Sequence, residues 1–226
     1  MTLPISRGRP VVLLDLDGTL SESAPGITAS LAAAYRDLAL PVPDAAVLRS
    51  FVGPPLTASF RTHGVPEPLV ADLLAAYRRH YDAGGLRDTR VYPGVRDALA
   101  TLRAAGCTLL VATSKPRVRA LPVCAHLGLD GLLDGVFAAP DDEASTSKAD
   151  VVAAALASAT DAGTDRRPAV MVGDRVFDVA GAHANGIPCV GVAWGYAEPA
   201  ELADADAVVR DPADLARTVL DLLRAA

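Results

Sequence analysis

The chain has 226 residues, 51% of them apolar, which allows one large domain or a core with a smaller inserted unit and a core big enough to need no staples. Acidic residues outnumber basic ones 27 to 21, and the net charge of −6 argues against a nucleic-acid polymer or another polyanion as partner. Of the 21 basic residues, nineteen are Arg and two are Lys, at positions 115 and 148.

In chain order, the first apolar run is 11–14 (VVLL), cut short by aspartates with no cleavage site after it, so a secretory signal is not expected. Further short runs follow at 109–112, 136–138, 169–172 and 189–192. Continuous runs of this length read as parallel strands buried on both faces. Amphipathic segments at 94–105, 117–127, 148–160, 176–185 and 212–224 alternate with them. Gly106, Gly128 and Gly186 mark helix ends and Pro116 a helix start. Alternating β and α predicts an α/β fold with a Rossmann-like, doubly wound parallel sheet.

The alternation breaks after the first run. Helical patterns at 24–38, 44–50, 55–63 and 66–83 follow one another without a strand. A loop that long is unusual in a compact domain, so 21–88 reads as an inserted α-helical cap, with 1–20 and 89–226 as the core. The edges of the insert fall at 20–23 and 90–94. A cap placed there would cover the carboxyl edge of the sheet, where such folds bind ligands.

No apolar run reaches about 18 residues, so no membrane partner is expected. Cys107, Cys124 and Cys189 are far apart without a CxxC pair, which suits a reducing, cytoplasmic compartment. The four His residues form no cluster with zinc-ligand spacing.

The candidate chemistry gathers at the strand ends. Asp15 and Asp17 repel one another at the end of the first strand, a cost that a cation with a preference for oxygen, such as Mg²⁺, would relieve. Gly18 permits a tight turn whose amides can face an anion. Thr113 and Ser114 can hold a phosphate oxygen, or simply cap the helix after Pro116. Lys148 opens a helix, where a cation is slightly unfavourable to the dipole. In a chain that otherwise uses Arg, a compact ammonium there suggests a specific task. Asp174 ends the fourth run and Asp178 stands one helical turn later, so both carboxylates can share a face; the plain alternative is a capping pair.

Taken together, DxDGT from Asp15, Thr113-Ser114, Lys148 and GDxxxD from Gly173 resemble the haloacid dehalogenase superfamily of phosphohydrolases. The resemblance covers nearly the whole chain, including the helical insert. It is closest to the phosphoglycolate phosphatase-like branch, whose runs match FVGPPL (51–56), VATSKP (111–116) and GVAWGY (191–196). The GPPL form occurs in phosphoglycolate phosphatases and 5′-nucleotidases. One departure is APDDEASTS (139–147), where the branch often carries a Gly-Ser loop before the motif lysine.

The resemblance implies a role for each residue. Asp15 would attack phosphorus and form an aspartyl-phosphate. Asp17 would protonate the leaving oxygen and then activate water. Gly18, Thr113, Ser114 and Lys148 would hold the phosphoryl oxygens, Lys148 also screening Asp15. Asp15, Asp17 (through its backbone carbonyl) and Asp174 would bind Mg²⁺, with Asp178 orienting water beside it. Arg49, Gly53 and Pro54 in the cap are the candidate substrate contacts, ahead of Tyr77, Arg78 and Tyr81. Trp194 and Tyr196 follow the last core run and either face the site or stay in the core.

The expected activity is hydrolysis of a small phosphate ester, phosphoglycolate or a nucleoside 5′-monophosphate, by a monomer or homodimer. A dehalogenase would not need the acid at Asp17. A phosphonatase would need a Schiff-base lysine in the cap, and 21–88 contains none. A sugar-phosphate mutase or a pyrophosphatase of the same superfamily, or a silent binding module on this fold, stays open.

Overall fold

A computed structural model of the chain describes residues 8–141, 146–159 and 168–225. Most of the 139–147 run is therefore described, but 142–145 are not, nor is residue 160 of the expected helix. The first elements are β1 (Val11–Leu14), β2 (Ser21–Glu22), α1 (Ala24–Asp37), α2 (Ala45–Ser50), α3 (Leu56–Thr62) and α4 (Glu67–Ala83). Next come β3 (Arg90–Val91), α5 (Val95–Ala104), β4 (Thr108–Pro116), α6 (Arg117–His126) and β5 (Gly135–Ala139). The chain then runs through α7 (Lys148–Ala159), β6 (Ala169–Gly173), α8 (Val176–Ala184), β7 (Cys189–Val192), β8 (Ala207–Val209) and α9 (Pro212–Ala225).

Six strands form one parallel sheet in the order β5-β4-β1-β6-β7-β8. The four side chains of β1 are all buried, as its unbroken apolar sequence requires of a strand covered on both faces. The register sets Leu14 beside Val111 of β4 and Val172 of β6. Polar residues that follow these apolar runs therefore emerge at one edge: Asp15 from β1, Thr113 from β4 and Asp174 from β6. The chain leaves β1 toward β4 and β5, whereas β6 leads the other way to β7 and β8. Strand order thus reverses between β1 and β6, where a crevice opens at the carboxyl ends.

Helices α1–α4 enclose an apolar cluster of their own, with Leu31, Phe60, Leu73 and Tyr81 fully buried in it. The two edges expected at 20–23 and 90–94 meet as an antiparallel pair, Ser21 with Val91 and Glu22 with Arg90. That pairing brings the two chain crossings between sheet and helices side by side.

The β2–β3 pair was expected only as edges of the insert, and two further features differ from the sequence expectation. β4 continues past residue 112 to Pro116, with a register shift against β5 between Thr113 and Pro116. Such an irregularity re-aims side chains beside a site, here Ser114 and Lys115. β8 was not expected at all. It is a three-residue edge strand paired on one side only, and Val208 stands 41% exposed, so it lacks the continuous apolar signature. Among the described residues no helix is long and apolar enough to cross a membrane.

Candidate active site

Asp15 leaves β1 with its backbone N–H donating to Val172 O (2.9 Å), still in the ladder. Its carboxylate is buried, and Oδ1 accepts a bond from Lys148 Nζ at 2.6 Å. The same ammonium lies 2.7 Å from Asp178 Oδ1, so Lys148 bridges the carboxylate at the end of β1 and one in the first turn of α8. Burial pushes the Asp15 carboxyl up to about 6; Lys148 opposes that rise and the Asp178 charge adds to it. For Lys148, burial disfavours the ammonium, but Asp15 and Asp178 outweigh it and hold the group well above its ordinary value. Lys148 is therefore a fixed cation at neutral pH.

Asp174 is fully buried. Its Oδ1 accepts from Thr19 Oγ1 (3.1 Å) and its Oδ2 from the Tyr196 backbone N–H (2.8 Å). Burial raises its pKa well above the ordinary value, and the Asp178 and Asp15 charges push the same way. Asp178 Oδ2 accepts from the Arg175 N–H (3.0 Å) at the head of α8. Two glycines make the crowding feasible. A Cβ at Gly18 (φ +91°) would lie 2.2 Å from Asp174 Oδ2, and one at Gly173 would lie 2.1 Å from Asp178 Cγ.

Carboxylate oxygens of Asp15, Asp174 and Asp178 all lie within 4.8 Å of one another. Three anions face one ammonium, Lys148, which leaves two negative charges uncompensated. All-oxygen donors with that excess, once ionised, fit a hard divalent cation.

A cavity of about 100 Å³ lies between these strand ends and the α2–α3 loop. Asp15, Asp17, Thr113, Ser114, Lys148 and Asp178 line it from the sheet side, and Gly53, Pro54 and Tyr77 from the helical side. Thr113 is buried, its Oγ1 accepting the Lys115 N–H (3.2 Å).

Some expected contacts are placed elsewhere. Gly18 does not turn its amide to an anion: its N–H donates to Ser21 O (2.8 Å), and its role is to make room for Asp174. Arg49 is exposed and absent from the cavity wall, its guanidinium stacked 4.8 Å over the Tyr196 ring. Tyr81 is fully buried and absent from the cavity wall. Trp194 donates to Thr19 O (3.1 Å), and the Tyr196 hydroxyl accepts from the N–H groups of Ser23 (2.7 Å) and Ala24 (2.9 Å) at the head of α1.

Sequence reasoning marked the second lysine by composition but gave it no role. Lys115 Nζ donates to Asp17 Oδ2 at 2.8 Å and stands 4.8 Å over the Tyr81 ring. Each aspartate of DxD thus has its own buried ammonium, Lys148 for Asp15 and Lys115 for Asp17. Burial works against the Lys115 ammonium, yet Asp17, with Tyr81 and Tyr77, holds its pKa well above the usual value. Composition marked it, since an Arg-rich chain keeps its two lysines near the end of β4 and at the start of α7. The other oxygen of Asp17, Oδ1, is buried without a hydrogen-bond partner among the described residues.

Lys115→Met is expected to lower stability by about 3–5 kcal/mol, because Asp17 keeps a buried charge without its counter-ion. Urea unfolding would measure it, and Lys115→Met combined with Asp17→Asn should recover most of the loss. Additive losses in the double variant would mean the pair is not coupled.

The model of the haloacid dehalogenase-like hydrolases matches residues 12–192 of this chain. The chain belongs to that family. Asp15, Asp17, Thr113, Lys148, Asp174 and Asp178 all lie within the matched span. A 5′-nucleotidase of Pseudomonas aeruginosa is 36% identical over 194 residues, covering 85% of this chain and 86% of the relative. The tyrosine-protein kinase PtkA of Mycobacterium tuberculosis is 40% identical over 190 residues, covering 82% of this chain but only 62% of the kinase. A predicted phosphatase from Clostridium acetobutylicum, solved as a crystal structure, superposes with a TM-score of 0.85 at 34% identity, covering 94% of this chain and 99% of that one. Relatives and solved neighbours named for phosphate-ester hydrolysis thus stand beside one named as a kinase.

Proposed function

We propose that the enzyme is a Mg²⁺-dependent phosphomonoesterase that works through an aspartyl-phosphate on a small phosphorylated metabolite, phosphoglycolate or a nucleoside 5′-monophosphate. The observation that carries the reading is the Asp15 carboxylate on the cavity wall, held 2.6 Å from Lys148 within a carboxylate cluster two charges short of neutral. Asp15 attacks phosphorus as the ester P–O bond breaks, and Asp17 gives its proton to the departing oxygen. Water then attacks the phosphorus of the aspartyl-phosphate, Asp17 takes the water's proton, and Asp15 is freed. The unpartnered Asp17 Oδ1 suits that exchange. Lys148, Thr113 and Ser114 neutralise and align the phosphoryl oxygens; positioning and charge neutralisation are most of what phosphoryl transfer requires. Asp15, Asp174 and the Asp17 carbonyl would hold Mg²⁺, with Asp178 in support. The ion would add positive charge beside the phosphoryl group.

Residues 21–88 act in this reading as a cap over a core of 1–20 and 89–226, supported by the separate apolar cluster of α1–α4. The three buried free thiols favour a cytoplasmic location. The kinship to PtkA favours one second reading, transfer of the phosphoryl group to a protein tyrosine in place of water.

Inorganic phosphate release from phosphoglycolate, nucleoside 5′-monophosphates, sugar phosphates and pyrophosphate at fixed Mg²⁺ tests the proposal. Mg²⁺-dependent release from a small monoester is the expected result. An isomerised sugar phosphate without free phosphate would instead indicate a mutase, and no release across the panel would favour a binding module.

A further inference from the structure

We infer that Arg175 is a positioning residue that latches the α2–α3 loop over the cavity and thereby makes the enzyme select small phosphate esters over large ones. The inference rests on the phosphatase reading above and narrows its substrate class.

Arg175 follows Asp174 at the head of α8, and its side chain is 11% exposed. Its Nε and Nη2 donate to the two carboxylate oxygens of Glu201 at 2.8 and 3.1 Å, a planar two-point pairing. Glu201 Oε2 also accepts the Val176 N–H (3.2 Å), so the anchor is itself tied to the start of α8. The third nitrogen, Nη1, crosses to the helical insert and donates to Val52 O. A Cβ at Gly53 (φ +110°) would come within 3.1 Å of that nitrogen, so the loop backbone rests on the guanidinium itself.

The loop has little freedom left. Phe51 and Val52 are both buried, and Phe51 packs edge-on against Phe60 at 5.9 Å. Pro54 and Pro55 fix two successive φ angles. One end of the loop is therefore pinned in the helical cluster and its middle is pinned to the sheet by Arg175.

The consequence is size. The cavity beneath the loop measures about 100 Å³, against roughly 150 Å³ for an apolar void that takes up benzene. A two-carbon ester is on the scale of that space. The base and ribose of a nucleotide are larger than benzene and overfill that space, so they crowd the loop wall at Gly53 and Pro54 and favour its release from Arg175. Leaving it breaks a charge-assisted hydrogen bond, a cost paid by large substrates and not by small ones.

The test compares kcat/KM for phosphoglycolate and a nucleoside 5′-monophosphate in the wild type, Arg175→Met, Arg175→Lys and Glu201→Ala. Amide hydrogen exchange of residues 51–56 is followed in the same proteins. The wild type is expected to prefer the small ester. Arg175→Met and Glu201→Ala should shift that ratio toward the nucleotide by about tenfold, the equivalent of one charge-assisted hydrogen bond. Arg175→Lys should fall between, since an ammonium cannot span Glu201 and Val52 together. Exchange in the loop should quicken in step. Parallel losses on both esters with unchanged exchange would overturn the inference, as would a wild type that prefers the nucleotide. If the wild type hydrolyses neither ester, the phosphatase reading fails on its own account. The exchange arm then still judges the latch: faster loop exchange in the variants supports it and unchanged exchange overturns it.

Discussion

Asp15→Asn is expected to lower phosphate release by about a thousandfold or more at saturating Mg²⁺, as removal of a nucleophile does elsewhere. The substitution keeps shape and volume and removes the attacking anion. It does not orphan the lysine, because Lys148 retains Asp178 at 2.7 Å. Nor does it open a void, since the amide fills the same space. It also removes one of three mutually repelling carboxylates, so the variant should fold at least as well as the wild type. Activity and stability are therefore predicted to move in opposite directions, which separates a chemical role from a structural one. Steady-state release on two esters, with thermal unfolding of the same preparations, would check both. A wild-type rate in the variant would sink the assignment of Asp15 as nucleophile. A variant that is inactive and also unfolded would point to a structural role instead.

The reasons Asp15 can be singled out from sequence are local. VVLL is apolar without alternation, so it must be covered on both faces, and the first charged residue after it must surface at the sheet edge. The same logic places Thr113 after LLVA and Asp174 after AVMVG. The helices of the insert were also legible, because their apolar spacing and their Pro and Gly punctuation are properties of neighbouring residues. What could not be read were contacts set by distance across the fold. Lys115 and Asp17 are 98 positions apart, and nothing local to either names the other. Arg175 meets Val52 across 123 positions. The side chain of Arg49 was expected in the cavity on nearness in sequence to the 51–56 loop. A helix surface has a direction, however, and Arg49 turns to the Tyr196 ring. Gly18 misled in a related way. A turn glycine beside a phosphate site suggests an amide for the anion, but here the missing Cβ matters more than the amide, because Asp174 occupies the space.

Asp174→Asn should make the metal-free protein more stable and remove its dependence on Mg²⁺. Asp174 has no exposed surface, and burial first, then Asp178 and Asp15, raises its pKa well above the ordinary carboxyl value. A carboxyl whose pKa is raised by folding favours the folded state while protonated. That contribution is complete below the unfolded value near 3.8 and is lost as pH climbs through the folded value. Asp15, at about 6, has the same sign. The ion-free enzyme should thus lose stability as pH rises from about 4 through 6 and beyond, and a divalent cation, which favours the ionised cluster, should return more of it the higher the pH. An amide at 174 escapes the penalty. Its oxygen can still accept the Tyr196 N–H, and its NH₂ can donate to Thr19 Oγ1, whose hydroxyl turns to accept. A gain of about 1–3 kcal/mol without metal is expected at pH 7.5. Mg²⁺ at about a hundred times its dissociation constant should stabilise the wild type by about 2.7 kcal/mol and the variant by little. Phosphate release by the variant should fall to near background. Melting curves at pH 5 and 7.5, with and without Mg²⁺, would decide it. A destabilised variant that still gains stability from Mg²⁺ would show that the ion, if bound, is held by other groups. The opposite result would mean that the enzyme carries its acidic cluster at a cost in stability that only the ion removes.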